Sequence, residues 1–311
     1  MPANQLIVVS LPGSGTPLLS RLTRALGYAS YGTMSGDPAA EAERPGPGEV
    51  HPLLAAAYGA DRAAALLRRT SGGVDAALEP AFQQAVSAVW RVWWTRLGQP
   101  TTPVSRVDPG IEARLAGLPV GDLLDLLPGR GCWYVTGLDL RRADAELIRT
   151  WHAGGRPPLV VHHRDLRDRI VSQIRFLTGP AERVGTLPEH LVYREILTAL
   201  PTLDARITLA LTDPGFPGIP EARSSQWLLR HPAVCSLSHE ELTGPASARD
   251  QARARLLGAL GHPGPPPLPA PRPADDDPTG IAPGRGRDLF SDAHEQLLHR
   301  HHSDLTSFQY R

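Results

Sequence analysis

The segment LIVVSLPGSGTPLLSRLTRALG, Leu6 to Gly27, constrains the fold of this chain more than any other. Leu6 to Val9 are apolar and partly β-branched, which reads as a buried strand. Pro12 to Thr16 form a loop of small residues. Pro17 suits the first helical position, where the missing N–H costs nothing. Leu18, Leu19, Leu22, Ala25 and Leu26 then line one helix face, and Gly27 stands at its C-terminal end. Strand, short loop and helix in that order open an alternating α/β pattern.

The alternation continues. CWYVTGL (Cys132 to Leu138), PLVVHH (Pro158 to His163) and Ala233 to Leu237 read as further strands. Helical patterns are expected at about 51–69, 76–97 and 111–127, and over ADAELIRTWH. Another helix follows RDLRD, with Ile170, Val171, Ile174 and Leu177 on its apolar face. More are expected within 187–212, over SARDQARARLLGALG, and from Ser291 to Phe308. Residues 35–50 read as a surface loop, and HPGPPPLPAPRPADDDPTGIAPGRG is too proline-rich to pack regularly. The expectation is one α/β domain over residues 1–311, with a central, mainly parallel sheet flanked by helices. A proline-rich flap or linker interrupts it at about 262–287.

Composition narrows the function. Lys+Arg and Asp+Glu are both 32, so there is no global basic field to draw nucleic acid. The two cysteines, Cys132 and Cys235, lack metal or redox spacing, which fits a reducing cytosol. No apolar run approaches the roughly 20 residues of a membrane span, and the N-terminus has no signal-peptide pattern. All 32 basic side chains are arginine. The coding bias of a GC-rich genome accounts for that, and its chemical consequence is that no lysine ammonium exists in the chain.

Two segments carry chemistry. A helix N-terminus offers free N–H groups and a positive dipole end, which suit a phosphate or sulfate. Ser14, Gly15 and Thr16 add close backbone approach and hydroxyl donors. The pattern lacks the Gly-Lys-Ser/Thr ending of a Walker loop, and an ordinary strand-to-helix turn looks similar. In VVHHRDLRDRIVSQIRF, Arg164 directly follows a buried strand and Ser172 stands eight positions later, inside a helix. An arginine there suits bidentate phosphate contact, while a local ion pair to Asp165 or Asp168 is the equal alternative. Trp90, Trp93 and Trp94 fit a buried helix face better than an aromatic substrate wall. His294, His299, His301 and His302 lack the i, i+4 pair of helical zinc sites and read as a solvated face.

Together these segments resemble the cytosolic-type sulfotransferase family, which moves a sulfuryl group from 3′-phosphoadenosine 5′-phosphosulfate to an acceptor. PGSGT stands where that family has Pro-Lys/Arg-Ser-Gly-Thr, and RDLRDRIVS where it has Arg-Asp/Asn-Pro-Arg-Asp then Val-Ser. HEEL (His239 to Leu242) stands for its Glu-Asp-Leu segment, and PGRGRDLFSDAHEQLL for its glycine-rich basic loop and final helix. The resemblance spans roughly residues 5 to 310. It implies a P-loop-like sulfotransferase architecture and a donor site without metal. Gly13, Ser14, Gly15, Thr16 and Pro17 would hold the 5′-phosphosulfate, and Arg164, Ser172, Arg285 and Gly286 the 3′-phosphate of donor or of the product 3′-phosphoadenosine 5′-phosphate. The acceptor would be a small molecule.

The departures fall on catalysis. Gly13 replaces the family's loop cation, which neutralises the leaving group. Gly137 replaces the histidine of its Lys-Thr-His stretch, the usual base. His51 and Asp139 are the candidate substitute bases. Two outcomes are open: an active enzyme with relocated groups, or a nucleotide-binding protein without the chemistry. A P-loop kinase or hydrolase is disfavoured by the missing lysine and by the lack of a clear aspartate for Mg²⁺.

Overall fold

The computed structural model describes residues 3–31, 47–68, 74–99, 107–126, 130–185, 187–262 and 282–306. Most of the expected loop at 35–50 and of the proline-rich segment lies outside these residues. The chain begins with β1 (Gln5–Ser10), α1 (Thr16–Ala25), β2 (Ala29–Tyr31), α2 (Pro47–Tyr58), α3 (Ala60–Leu67), α4 (Glu79–Arg96), α5 (Pro109–Ala116) and α6 (Val120–Leu124). It continues with β3 (Gly131–Val135), α7 (Ala145–Gly154), β4 (Leu159–His163), α8 (Leu166–Leu177), α9 (Ala181–Val184), α10 (Pro188–Ala199), α11 (Leu203–Thr212) and α12 (Ile219–Ser225). After a short 3₁₀ turn come β5 (Val234–Ser238), α13 (His239–Thr243), α14 (Ala246–Ala259), α15 (Arg285–Leu289) and α16 (Asp292–Thr306).

The five strands form one parallel sheet in the order β2-β3-β1-β4-β5. Strand β1 lies at its centre, and alternation decides its two faces. Leu6 and Val8 join a core with Leu18, Leu19, Leu256 and Leu257, so α1 and α14 cover one face. Ile7 and Val9 join the larger core, which holds Val89, Trp93, Ile170 and Ile174 of α4 and α8. Both faces are therefore buried, as a parallel sheet requires. Full burial of one such leucine contributes about 1.5–3 kcal/mol.

This order sets the site. The chain leaves β1 towards β2 on one side and leaves β4 towards β5 on the other. β1 and β4 are neighbours, so their carboxyl ends flank a topological switch point, where open α/β sheets bind ligands.

Several expected boundaries differ. The helix expected at 51–69 is two, split at Gly59, and that expected at 111–127 is also two, split around Pro119. Strand β2 has three residues, too few to show a period, and forms by pairing with Gly131 to Trp133. The solvated face expected on the last helix is corrected for two histidines. His294 and His302 are buried, and with Leu298 and Leu305 they form the stripe by which α16 packs. Their ring nitrogens meet Thr208 and the Leu211 carbonyl, at 3.1 and 2.9 Å, which satisfies them inside.

Candidate functional site

The β1–α1 loop is held open by backbone geometry. Gly15 caps α1 in the left-handed region at φ 87, and no side chain caps the helix. Ser14 N–H donates to the Leu11 carbonyl, and Leu18 N–H to that of Gly15. The N–H groups of Gly13, Gly15 and Thr16 take no partner among the described residues. The Ser14 hydroxyl is fully buried and likewise takes none. An orphan hydroxyl beside three unused N–H groups at a helix N-terminus is a set of donors that a tetrahedral anion satisfies. Pro17 sits exposed in the first turn, where its missing N–H removes nothing from that set.

Behind the loop stands α8. Arg169, 4% exposed, donates from Nε to the Pro12 carbonyl at 3.1 Å and from Nη2 to the Gly218 carbonyl at 2.9 Å. Burial pushes its guanidinium down to about 10, opposed by Glu221, so it stays charged at neutral pH. Sequence reasoning missed this residue, although it lies inside RDLRDRIVS. It is a cation at the loop in a chain whose loop lysine is absent.

Arg164 follows β4 and is 0% exposed. Its Nε lies 3.6 Å from Asp168 Oδ2, an ion pair within the motif. Asp168 in turn accepts from the N–H groups of Gly284 at 2.7 Å and Gly286 at 2.6 Å. A Cβ on Gly286 would stand 2.6 Å from the Asp168 nitrogen, so only glycine permits this approach. The glycine-rich C-terminal loop is thereby docked on the arginine motif across more than a hundred residues of chain. Arg285 itself is exposed and pairs with Asp288 on its own helix. Ser172 is buried in α8. Arg167 turns the other way, to Glu295 at 2.6 Å.

Glu240, the first acid of HEEL, accepts from Asp165 N–H at 2.9 Å and so fixes the start of α8. Ser238 and Glu241 form a capping box on α13. His239 lies under the loop: a Cβ on Gly15 would stand 2.6 Å from its Nδ1. His162, 0% exposed, reaches the loop through Ser10. Burial, with His239, His163 and Arg164 nearby, holds it well below the usual histidine range, so it is neutral.

No hydrogen bond or ion pair joins either candidate base to these residues among the described residues. Arg141 donates to both carboxylate oxygens of Asp139, at 3.1 and 3.0 Å, and those hydrogen bonds hold the carboxyl below its usual range. His51 is exposed on α2, and none of the contacts joining the other residues includes it among the described residues. A Cβ on Gly137 would meet the Ser225 hydroxyl at 3.1 Å and the Gln99 amide at 3.2 Å, so those two side chains would have to shift by a few tenths of an ångström to admit one. Trp93 is buried in the core, with Trp90 and Trp94 packed against it half-buried.

No protein-family model matches the chain, and neither the curated proteins nor the solved structures compared with it give a match.

Proposed function

We propose that the chain is a sulfotransferase of the cytosolic type, which moves a sulfuryl group from 3′-phosphoadenosine 5′-phosphosulfate to a hydroxyl or amine of a small acceptor. The reading is carried by the Asp168 bridge, which joins the residues of the fourth motif, Gly284 and Gly286, to Arg164 of the second. Those motifs lie at the switch point where the first, Ser14 to Thr16, offers unused donors. Ser14, Gly15 and Thr16 hold the 5′-phosphosulfate. Arg164, Ser172, Arg285 and Gly286 hold the 3′-phosphate, with Asp168 fixing the loop that closes over it. The loop N–H groups and Arg169 oppose the charge on the leaving group, which is the role that a lysine at position 13 would have.

A second reading has its own support. A side chain at Gly13 would meet the Arg169 backbone, and Gln99 and Ser225 crowd the place of the expected histidine. A protein that holds the nucleotide without transferring the sulfuryl group fits those two facts.

Titration with 3′-phosphoadenosine 5′-phosphate tests the site. Binding is expected in the micromolar range or tighter, about −8 kcal/mol. Adenosine 5′-monophosphate, which lacks the 3′-phosphate, is expected to bind more weakly, and equal affinities overturn the assignment. Turnover of phenols and alcohols with the sulfated donor, read by mass spectrometry, separates enzyme from binder.

A further inference from the structure

We propose that His162 is a positioning residue that, acting through Ser10, turns the Thr16 hydroxyl outward as a donor to the bound anion. This rests on the reading that the β1–α1 loop holds a phosphate or sulfate. Ser10 Oγ lies 2.8 Å from Thr16 Oγ1 and 3.2 Å from His162 Nδ1. Ser10 is 4% exposed and His162 is 0% exposed, so water does not compete for either group.

A neutral histidine and two hydroxyls in a row have two polarities that use the Ser10 proton, since Ser10 Oγ has no further partner among the described residues to take it. In one, the ring proton is on Nε2, Nδ1 accepts from Ser10, and Ser10 accepts from Thr16. Thr16 then points its proton inward and shows lone pairs to the loop. In the other, the proton is on Nδ1. His162 donates to Ser10, Ser10 donates to Thr16, and the Thr16 proton faces outward.

The surroundings of Nε2 choose between them. That atom is buried and has no partner among the described residues. An N–H there is an orphan buried donor, which native structures avoid more strictly than an unused lone pair. The groups around the ring keep it singly protonated. Ser10 faces it from β1, the His239 ring from α13 at a centroid distance of 6.4 Å, and His163 and Arg164 adjoin it on its own strand end. A second ring proton would stand among these, with no acid among the described residues acting on the ring. The outward donor follows. It matches an anion's oxygen, whereas the threonine or serine of a metal-dependent phosphate loop presents its oxygen lone pair to Mg²⁺.

The tautomer is measurable in the unmodified, ligand-free protein. Two-bond ¹⁵N–¹H spectra of ¹⁵N-histidine-labelled protein, with the signal assigned by its loss in His162→Gln, are expected to show the proton on Nδ1. A proton on Nε2 overturns the proposal. Titrations with 3′-phosphoadenosine 5′-phosphate give the second readout. Ser10→Ala and Thr16→Ala are each expected to weaken binding about tenfold, and the double variant no further, since one chain is cut in both. Additive losses, or an unchanged affinity in Ser10→Ala, overturn it. If the unmodified protein binds no nucleotide, the functional reading fails, while the tautomer still decides the polarity of the chain.

Discussion

The carbonyl oxygen of Arg169 stands 2.7 Å from the point that a Cβ on Gly13 would occupy. Gly13 also lies in the left-handed region, at φ 77. Both facts make Gly13→Lys a strained change rather than a repair. It is expected to lower stability by about 1–3 kcal/mol and to leave nucleotide affinity no better. Urea unfolding and calorimetric titration check it. A stable variant with tighter binding contradicts the steric account.

Arg169 is the cation that the loop does have. Arg169→Ala removes two charge-assisted bonds to buried carbonyls and is expected to cost about 3 kcal/mol of stability. Arg169→Lys keeps the charge but not the fork that spans Pro12 and Gly218. It is expected to recover part of the nucleotide affinity and little of the stability, measured by the same two methods.

Arg164 and Arg167 are three positions apart and should behave differently. Arg164→Ala leaves Asp168 buried at 0% exposure without its cation, at an expected cost of about 3–5 kcal/mol. Adding Asp168→Asn is expected to return part of that loss. Arg167 pairs with the 41% exposed Glu295, so Arg167→Ala is expected to cost about 1 kcal/mol or less. Denaturant midpoints of the three variants decide it, and a larger loss at Arg167 contradicts the assignment.

His163 makes stability depend on pH. Burial lowers it from its ordinary value of 6.5 to about 4. Below pH 6.5 the unfolded chain takes up a proton that the folded chain refuses, so acid destabilises the fold. The expected slope is about 1.4 kcal/mol per pH unit, down to the folded value near 4, where it ends. His162 adds in the same direction. Unfolding curves from pH 7 to 5 are expected to be shallower in pH for His163→Gln, and an unaltered slope counts against a half-buried, neutral His163.

Local pattern was enough to read the elements around the site. The apolar run of β1, Pro17 at the start of α1, and the abrupt change from PLVVHH to RDLRD each report backbone state and burial within a few residues. The histidines of α16 show the limit of that legibility. A helix period says which positions share a face, and it does not say whether a neutral imidazole on that face meets water or a buried carbonyl.

By itself, then, the sequence determined an α/β chain with a glycine loop after its first strand and an arginine after a later one. The tertiary structure decided what those residues touch. Arg164 could have met Asp165 or Asp168, and packing chose Asp168 because the same carboxylate also takes the N–H groups of Gly284 and Gly286. Arg169 turned to the loop only because α8 lies behind Pro12 and Gly218. Ser10 and His162 became partners through the register of β1 with β4, which sets them opposite each other. The physical reason is common to all three. Periodicity records how a residue meets its near neighbours in the chain, whereas a buried polar group is satisfied by whichever partner the sheet order brings within about 3 Å.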